Sequence, residues 1–81
     1  MRFTLKDKGL IFDGVRGIHI GKNIQQLAID NNWNEKPILD PQHEEYWDAT
    51  DSAIEYLNTL CDENVMFTMH EGDFILDQVA E

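Results

Sequence analysis

Cysteine and long apolar runs are scarce in this chain. Cys61 is the single cysteine, so an internal disulfide is excluded, as is usual for proteins of a reducing cytosol. No segment approaches the roughly 18 consecutive apolar residues of a membrane-spanning helix. The first residues, MRFTLKDKGLIF, lack the apolar run and small-residue cleavage site of a secretory signal. We therefore expect neither a membrane span nor a signal peptide.

Basic residues are also scarce, and they are unevenly placed. Six Lys and Arg residues oppose 16 Asp and Glu residues, which gives a formal net charge of −10. No Lys or Arg follows Lys36, whereas five of the six lie in the first 22 residues, namely Arg2, Lys6, Lys8, Arg16 and Lys22. An acidic surface repels phosphate backbones and attracts basic protein surfaces. The composition thus disfavours direct binding of DNA or RNA, and simple solubility is the alternative role of the charge.

The sequence has no catalytic or cofactor motif of known spacing. His43-Glu44 begins like a zinc-protease helix, but Trp47 stands where the second histidine is required. The residues with soft or imidazole ligands, His19, His43, His70 and Cys61, show no metal-ligand spacing. Phosphate loops, dinucleotide fingerprints and nucleophile elbows are absent. We expect no enzyme activity, no metal and no cofactor.

The longest segment with a helical period runs from Asp40 to Cys61. Its apolar stripe recurs at three- and four-residue steps through Trp47, Thr50, Ile54, Leu57 and Cys61. Asp40 is a suitable N-cap, and Pro41 suits the first helical position. This pattern predicts one long amphipathic helix that buries Cys61 as an inert thiol.

Shorter patterns predict the elements on either side. Alternation predicts strands at Arg2–Lys6, Leu10–Phe12, Val65–His70 and Phe74–Leu76, with a short extended piece at Gly17–Gly21. A short helix is predicted from Lys22 to Asn31, with Asn31-Asn32 as its C-terminal cap. The sequence predicts one α+β domain over residues 1–81. An antiparallel sheet of four or five strands, made from N- and C-terminal hairpins, packs against one long and one short helix. The predicted core is Phe3, Leu5, Leu10, Phe12, Ile20, Leu27, Trp47, Ile54, Leu57, Val65, Phe67 and Ile75.

The polar face of the long helix is the candidate binding surface. It carries Glu44, Asp48, Asp51 and Glu55, and carboxylates from the C-terminal region can extend it. Tyr46 and Trp33 are the aromatic residues predicted to be exposed, and Tyr46 is the predicted anchor. The alternative is that Tyr46 merely caps the core. The predicted partner-binding residues are Glu44, Tyr46, Asp48, Asp51, Glu55, Asp62, Glu63, Glu71 and Asp73.

Four short segments form a recognisable series along the chain. They are Phe12-Asp13-Gly14, Gly17-Ile18-His19-Ile20, the segment DPQHEEYWDA from Asp40 to Ala49, and the segment EGDFIL from Glu71 to Leu76. In these segments the chain resembles a group of small bacteriophage and prophage proteins. The chain departs from that group at Gly21, where a helix-starting proline is expected, and at Phe74-Ile75, where a Trp-containing strand is expected. The group has no assigned activity, so the resemblance implies origin alone: a phage or mobile-element protein made in the bacterial cytoplasm.

These expectations combine into two hypotheses about function, and a small hydrolase or metal-binding module with a pocket lined by His43 and acids is the third. In the first, the chain inhibits a host defence protein that grips nucleic acid, such as a CRISPR effector or a restriction enzyme. Its acidic surface would mimic nucleic acid and cover a basic channel. In the second, the chain is a phage accessory or assembly protein that forms a homodimer through an open sheet edge, and its charge serves solubility.

Overall fold

The computed structural model describes residues 3–70 and 72–79, and it has an α+β fold in one packed unit. In chain order the regular elements are β1 (Gly9–Phe12), α1 (Ile20–Asp30), α2 (Tyr46–Thr59), β2 (Val65–His70) and β3 (Asp73–Gln78). Two 3₁₀ segments, Leu5–Asp7 and Gly14–His19, flank β1. Two helices packed on an antiparallel sheet confirm the predicted fold class.

The sheet among the described residues has three strands in the order β1-β3-β2, and both pairings are antiparallel. The predicted C-terminal hairpin is confirmed: β2 and β3 pair continuously from Val65 opposite Gln78 to His70 opposite Asp73. The prediction of four or five strands is wrong. β1 pairs with β3 instead of forming a separate N-terminal hairpin.

The predicted first strand fails because local hydrogen bonds compete with an extended backbone. Arg2 lies outside the described residues. The carboxylate of Asp7 accepts a hydrogen bond from the amide of Thr4 at 3.0 Å, and the Thr4 carbonyl accepts one from the amide of Asp7 at 2.9 Å. These bonds close a 3₁₀ turn over Leu5–Asp7. Phe3 forms an isolated parallel bridge with Cys61, so the start of the chain lies beside the end of α2.

The predicted extended piece at Gly17–Gly21 is also wrong. The Asp13 carboxylate accepts a hydrogen bond from the amide of Val15 at 2.9 Å and so caps the 3₁₀ segment that occupies this stretch. Gly17 interrupts that segment with a φ of 58°, a conformation that favours glycine. Helix α1 follows from Ile20, two residues earlier than predicted.

The predicted cap at the end of α1 is confirmed. Asn32 adopts a left-handed conformation with a φ of 76°. Its amide donates to the Ile29 carbonyl, and the amide of Trp33 donates to the Ala28 carbonyl. This is the paired hydrogen-bond pattern of a Schellman motif, in which asparagine is the commonest substitute for glycine.

Helix α2 begins five residues later than predicted, at Tyr46 instead of Pro41. The Asp40 carboxylate accepts from the amide of Gln42 at 2.9 Å, and the Asp40 carbonyl accepts from the amide of His43. A second turn closes when the amide of Tyr46 donates to the His43 carbonyl. Asp40 therefore organises a turn that precedes the helix, and regular helix starts at Tyr46.

The core lies between the helices and one face of the sheet. The rings of Phe67 and Phe74 stack with centroids 5.0 Å apart, and Phe3 and Phe12 contact them from either side at 4.8 and 6.0 Å. Of the predicted core, Ile20, Leu57, Val65 and Phe67 are buried, and Phe3, Phe12, Leu27 and Ile54 are partly buried against them. Cys61 is also buried, as predicted. The side chain of Leu5 lies outside the described part of the chain.

Three predicted core residues are not in this cluster. Leu10 is 57% exposed and Trp47 is 46% exposed, so both predictions are wrong. Ile75 lies half-buried on the opposite face of the sheet, since its neighbours Phe74 and Leu76 point into the core. A bulge in β1 explains why Leu10 and Phe12 lie on different faces of the sheet. Leu10 is opposite Ile75, on the outer face, whereas Phe12 is opposite Phe74, because the extra residue Ile11 moves Phe12 to the core face.

Candidate protein-binding surface

Helix α2 presents an acidic face directly opposite its buried face. The buried positions are Tyr46, Thr50, Ala53 and Leu57. Asp48, Asp51 and Glu55 are exposed, and at 100° per residue they lie on the other side of the helix. Their span of seven residues corresponds to roughly 10 Å of helix axis. We call these three residues the acidic face.

Glu44 and Glu45 lie just before this face, outside the helix. Glu44 is exposed in the turn that precedes α2, so it does not share the regular spacing of the other three acids as predicted. The amide of Glu45 donates to Nδ1 of His43 at 3.0 Å, which orders this turn. Glu44 therefore extends the negative charge beyond the N-terminal end of the acidic face.

The remaining predicted acids lie at other places in the fold. Glu63 is exposed, and Asp62 is partly buried in the turn between α2 and β2. Asp73 is partly buried at the start of β3, where its Oδ1 accepts a hydrogen bond from the amide of Gly14. That bond ties the tip of the C-terminal hairpin to the turn after β1. Glu71 lies outside the described residues.

The prediction that Tyr46 is an exposed anchor is wrong. The side chain is fully buried, its hydroxyl donates to the Ile18 carbonyl at 2.5 Å, and the amide of Lys22 donates to the hydroxyl at 2.8 Å. The Lys22 amide is one of the free amides in the first turn of α1, so Tyr46 caps that helix from across the core. Burial raises the pKa of the Tyr46 phenol, against a smaller lowering by the backbone bonds from Lys22 and Gly21.

The space for Tyr46 exists because residue 21 is glycine. A Cβ at Gly21 would lie 2.5 Å from the Tyr46 hydroxyl oxygen and 2.8 Å from Oγ1 of Thr50. Ala28 and Ala53 are fully buried as well, so small residues on both helices bring α1 and α2 close together. This contact gives a structural reason for glycine at position 21.

Trp47 is the aromatic residue that the helix presents to solvent. Its ring contacts the ring of Tyr46 edge-on, with centroids 5.0 Å apart. Because it follows Tyr46 by 100° around the helix, it lies beside the acidic face, on the side of Asp51. Partly exposed Trp is the residue type most enriched at the energetic centres of protein interfaces. The prediction that Trp47 lies in the core is wrong because the buried stripe of α2 runs through its neighbour Tyr46 instead.

A groove runs along the other side of the acidic face, between α2 and residues 33–38. Two adjoining depressions of about 360 and 310 Å³ share Trp33, Glu35 and Ser52 as lining residues. Asp48 and Glu55 line one depression each. Trp33 forms part of the wall and is only 7% exposed, so the prediction that it is an exposed aromatic is wrong.

A buried glutamine fixes the wall of this groove. The side-chain amide of Gln25 donates to the Ile38 carbonyl at 2.8 Å, and its oxygen accepts from the Ile38 amide at 2.8 Å. The same NH₂ group also contacts Oγ1 of Thr50 at 3.2 Å. Gln25 thus holds the 33–38 segment to both helices and gives the groove a defined shape.

Within residues 3–70 and 72–79, no group of three or more His, Cys, Asp or Glu side chains is arranged to hold a metal ion. No helix in that part of the chain is long and apolar enough to cross a bilayer. Comparison of the chain with protein-family models, curated proteins and solved structures gave no match.

Proposed function

We propose that this chain is a non-enzymatic phage or mobile-element protein that acts in the bacterial cytoplasm. It binds a host defence protein that handles nucleic acid, of the CRISPR-effector or restriction-enzyme kind, and inhibits it by covering a basic surface. The observation that carries the proposal is the acidic face: Asp48, Asp51 and Glu55 are exposed together on a rigid helix, with exposed Trp47 beside them.

The acidic face has a lower charge density than nucleic acid, so it mimics nucleic acid in part. Its three carboxylates span roughly 10 Å of helix axis, which gives an average spacing of about 5 Å between them. Duplex DNA carries one charge per roughly 1.7 Å of axis, or 3.4 Å for each strand. The acidic face is therefore sparser than one DNA strand, and Glu44 extends the charge at one end.

Trp47 provides the packing contact that holds the complex together, which the carboxylates alone do not provide. Exposed carboxylates accelerate encounter with a basic surface but contribute little to holding a complex together. An aromatic ring packed against the fixed ring of Tyr46 is held in place before binding, so little conformational entropy is lost on contact. We assign steering to the acidic face and anchoring to Trp47.

The proposal is tested by binding to purified defence proteins over a range of salt concentrations. The variant Asp48→Lys/Asp51→Lys should slow association and flatten its salt dependence. Trp47→Ala should mainly speed dissociation, with a loss of affinity of about tenfold or more. The matched control is Asp30→Lys/Asp77→Lys, which changes net charge equally at exposed sites away from the acidic face. Equal effects of the two double variants would refute a specific role for this face.

A second candidate function is self-association as an accessory or assembly protein, with the charge serving solubility. The observation that favours it is the exposure of Leu10 on β1, at the edge of the sheet.

A further inference from the structure

The two edge strands of the sheet, β1 and β2, differ in how their outward-facing backbone groups are hydrogen-bonded. At the β2 edge, the amide of Phe67 donates to Oδ1 of Asn58 at 2.7 Å, and the amide of Val65 donates to the Asp62 carbonyl at 3.1 Å. The side chain of Asn58, near the end of α2, and the Asp62 carbonyl, just after α2, thus occupy this edge from Val65 to Phe67. An edge covered in this way is closed to further strands along that stretch.

The β1 edge is open at Leu10. In an antiparallel pair of strands, hydrogen-bonded and non-hydrogen-bonded residue pairs alternate. The Phe67 amide points away from β3, so the next pair along, Thr68 and Ile75, is hydrogen-bonded. The amide and carbonyl of Ile75 therefore point toward β2 and away from Leu10, which lies opposite Ile75 on strand β1. It follows that the amide and carbonyl of Leu10 point outward. Among the described residues, no side chain or loop backbone is hydrogen-bonded to them, and the Leu10 side chain is 57% exposed.

We propose that β1 is a homodimer interface, in which two copies pair antiparallel about a twofold axis at Leu10. The sheets of the two copies then join in the order β2-β3-β1-β1-β3-β2. The two Leu10 side chains meet on the outer face of this joined sheet, beside Ile75 of each copy.

Charge complementarity identifies a second copy as the occupant. Lys8 lies two residues before Leu10, and Asp13, which is extended with φ −74° and ψ 140°, lies three residues after it. Because the bulge adds one residue, Ile11, to the alternation along β1, Lys8 and Asp13 are the next residues on either side of Leu10 whose backbone groups face away from β3. Antiparallel pairing about Leu10 therefore brings Lys8 of each copy opposite Asp13 of the other. Both residues are exposed.

The geometry limits the assembly to a closed dimer. A twofold contact uses the same strand from both copies, and the β2 edge is covered at Val65 and Phe67, which disfavours growth into longer ribbons. Helix α2 packs against β2, at the far side of the sheet from β1. The acidic faces of two copies are thereby kept apart, and the acidic face of each copy stays available.

The test is sedimentation velocity of the intact chain over a wide dilution series. We expect a monomer–dimer equilibrium, weak because each strand contributes only four residues. Leu10→Lys should raise the dissociation constant about tenfold or more, since a lysine charge replaces an apolar contact. Val15→Lys is the matched control, because Val15 is 84% exposed and lies outside β1. Loss of the dimer in both variants, or a monomer throughout for the unmodified chain, would overturn the proposal.

A cysteine variant tests the register. In Leu10→Cys the two introduced thiols would lie on opposed residues about 5.5 Å apart at Cα, within the range for a disulfide. Mild oxidation should give a covalent dimer, whereas Val15→Cys should not. Cys61 is buried in both variants. Leu10→Cys that links no better than Val15→Cys would contradict this arrangement.

Discussion

The replacement Gly21→Ala tests the packing on which the candidate surface depends. In an ordinary helix this change is stabilising by up to about 1 kcal/mol, because alanine restricts the unfolded chain and favours helix. Here the added Cβ would lie 2.5 Å from the Tyr46 hydroxyl oxygen, 2.6 Å from Cζ of the same ring and 2.8 Å from Oγ1 of Thr50. We therefore expect the sign of the effect to be reversed.

The magnitude follows from how little the neighbours can move. Tyr46 and Thr50 are almost fully buried, and the Tyr46 hydroxyl is bonded to backbone on both sides. Overpacking at such sites costs about 1–3 kcal/mol, which exceeds the helix gain. We expect a net loss of about 1–2 kcal/mol in the free energy of unfolding, or about 4–8 °C in Tm for each kcal/mol.

Urea unfolding followed by far-ultraviolet circular dichroism measures this loss. The control Ser52→Ala, at an exposed position of α2, should be neutral or slightly stabilising. In the background of Tyr46→Phe the penalty of Gly21→Ala should shrink, because the nearest contact atom is gone. A Gly21→Ala protein as stable as the unmodified chain would refute the close packing of α1 on Tyr46.

Two further predictions concern hydrogen bonds to side chains. Burial raises the folded pKa of Tyr46, so its contribution to stability is complete below the unfolded value of about 10 and is lost as pH rises through the folded pKa. Alkaline unfolding should therefore be less steep in Tyr46→Phe than in the unmodified chain, as measured by urea titrations at several pH values, and identical slopes would contradict it. Asn58→Ala should cost about 1–3 kcal/mol because the Phe67 amide loses its acceptor, and hydrogen exchange at that amide should accelerate. Unchanged exchange would show that the bond is unimportant.

The features that the sequence predicted well are those determined within a few residues. Helix α1 ends at Asn31-Asn32 because asparagine tolerates the left-handed conformation that the cap requires. The C-terminal hairpin follows from alternation on both sides of Glu71-Gly72, and Gly72 has a φ of 86°. Neither feature depends on the rest of the fold.

The features that could not be predicted depend on contacts between distant segments. Two stripes overlap on α2, one through Trp47 and one through Tyr46, and both contain Thr50 and Leu57. The choice between them is made by α1, where the glycine at position 21 leaves room for the Tyr46 ring. The bulge that exposes Leu10 likewise depends on pairing with β3, which is more than 60 residues away in the sequence.

The adjacent residues Tyr46 and Trp47 connect the fold to the proposed binding surface. Tyr46 is held by the backbone of Ile18 and Lys22, so its ring is a fixed support for the Trp47 ring. Any change that loosens Tyr46 should therefore weaken binding through Trp47 even where the acidic face is intact. Binding can therefore be lost by two distinguishable routes. Tyr46→Phe should affect dissociation, as Trp47→Ala does, whereas Asp48→Lys/Asp51→Lys should affect association. If Tyr46→Phe changed association alone, Trp47 would not act as an anchor supported by Tyr46.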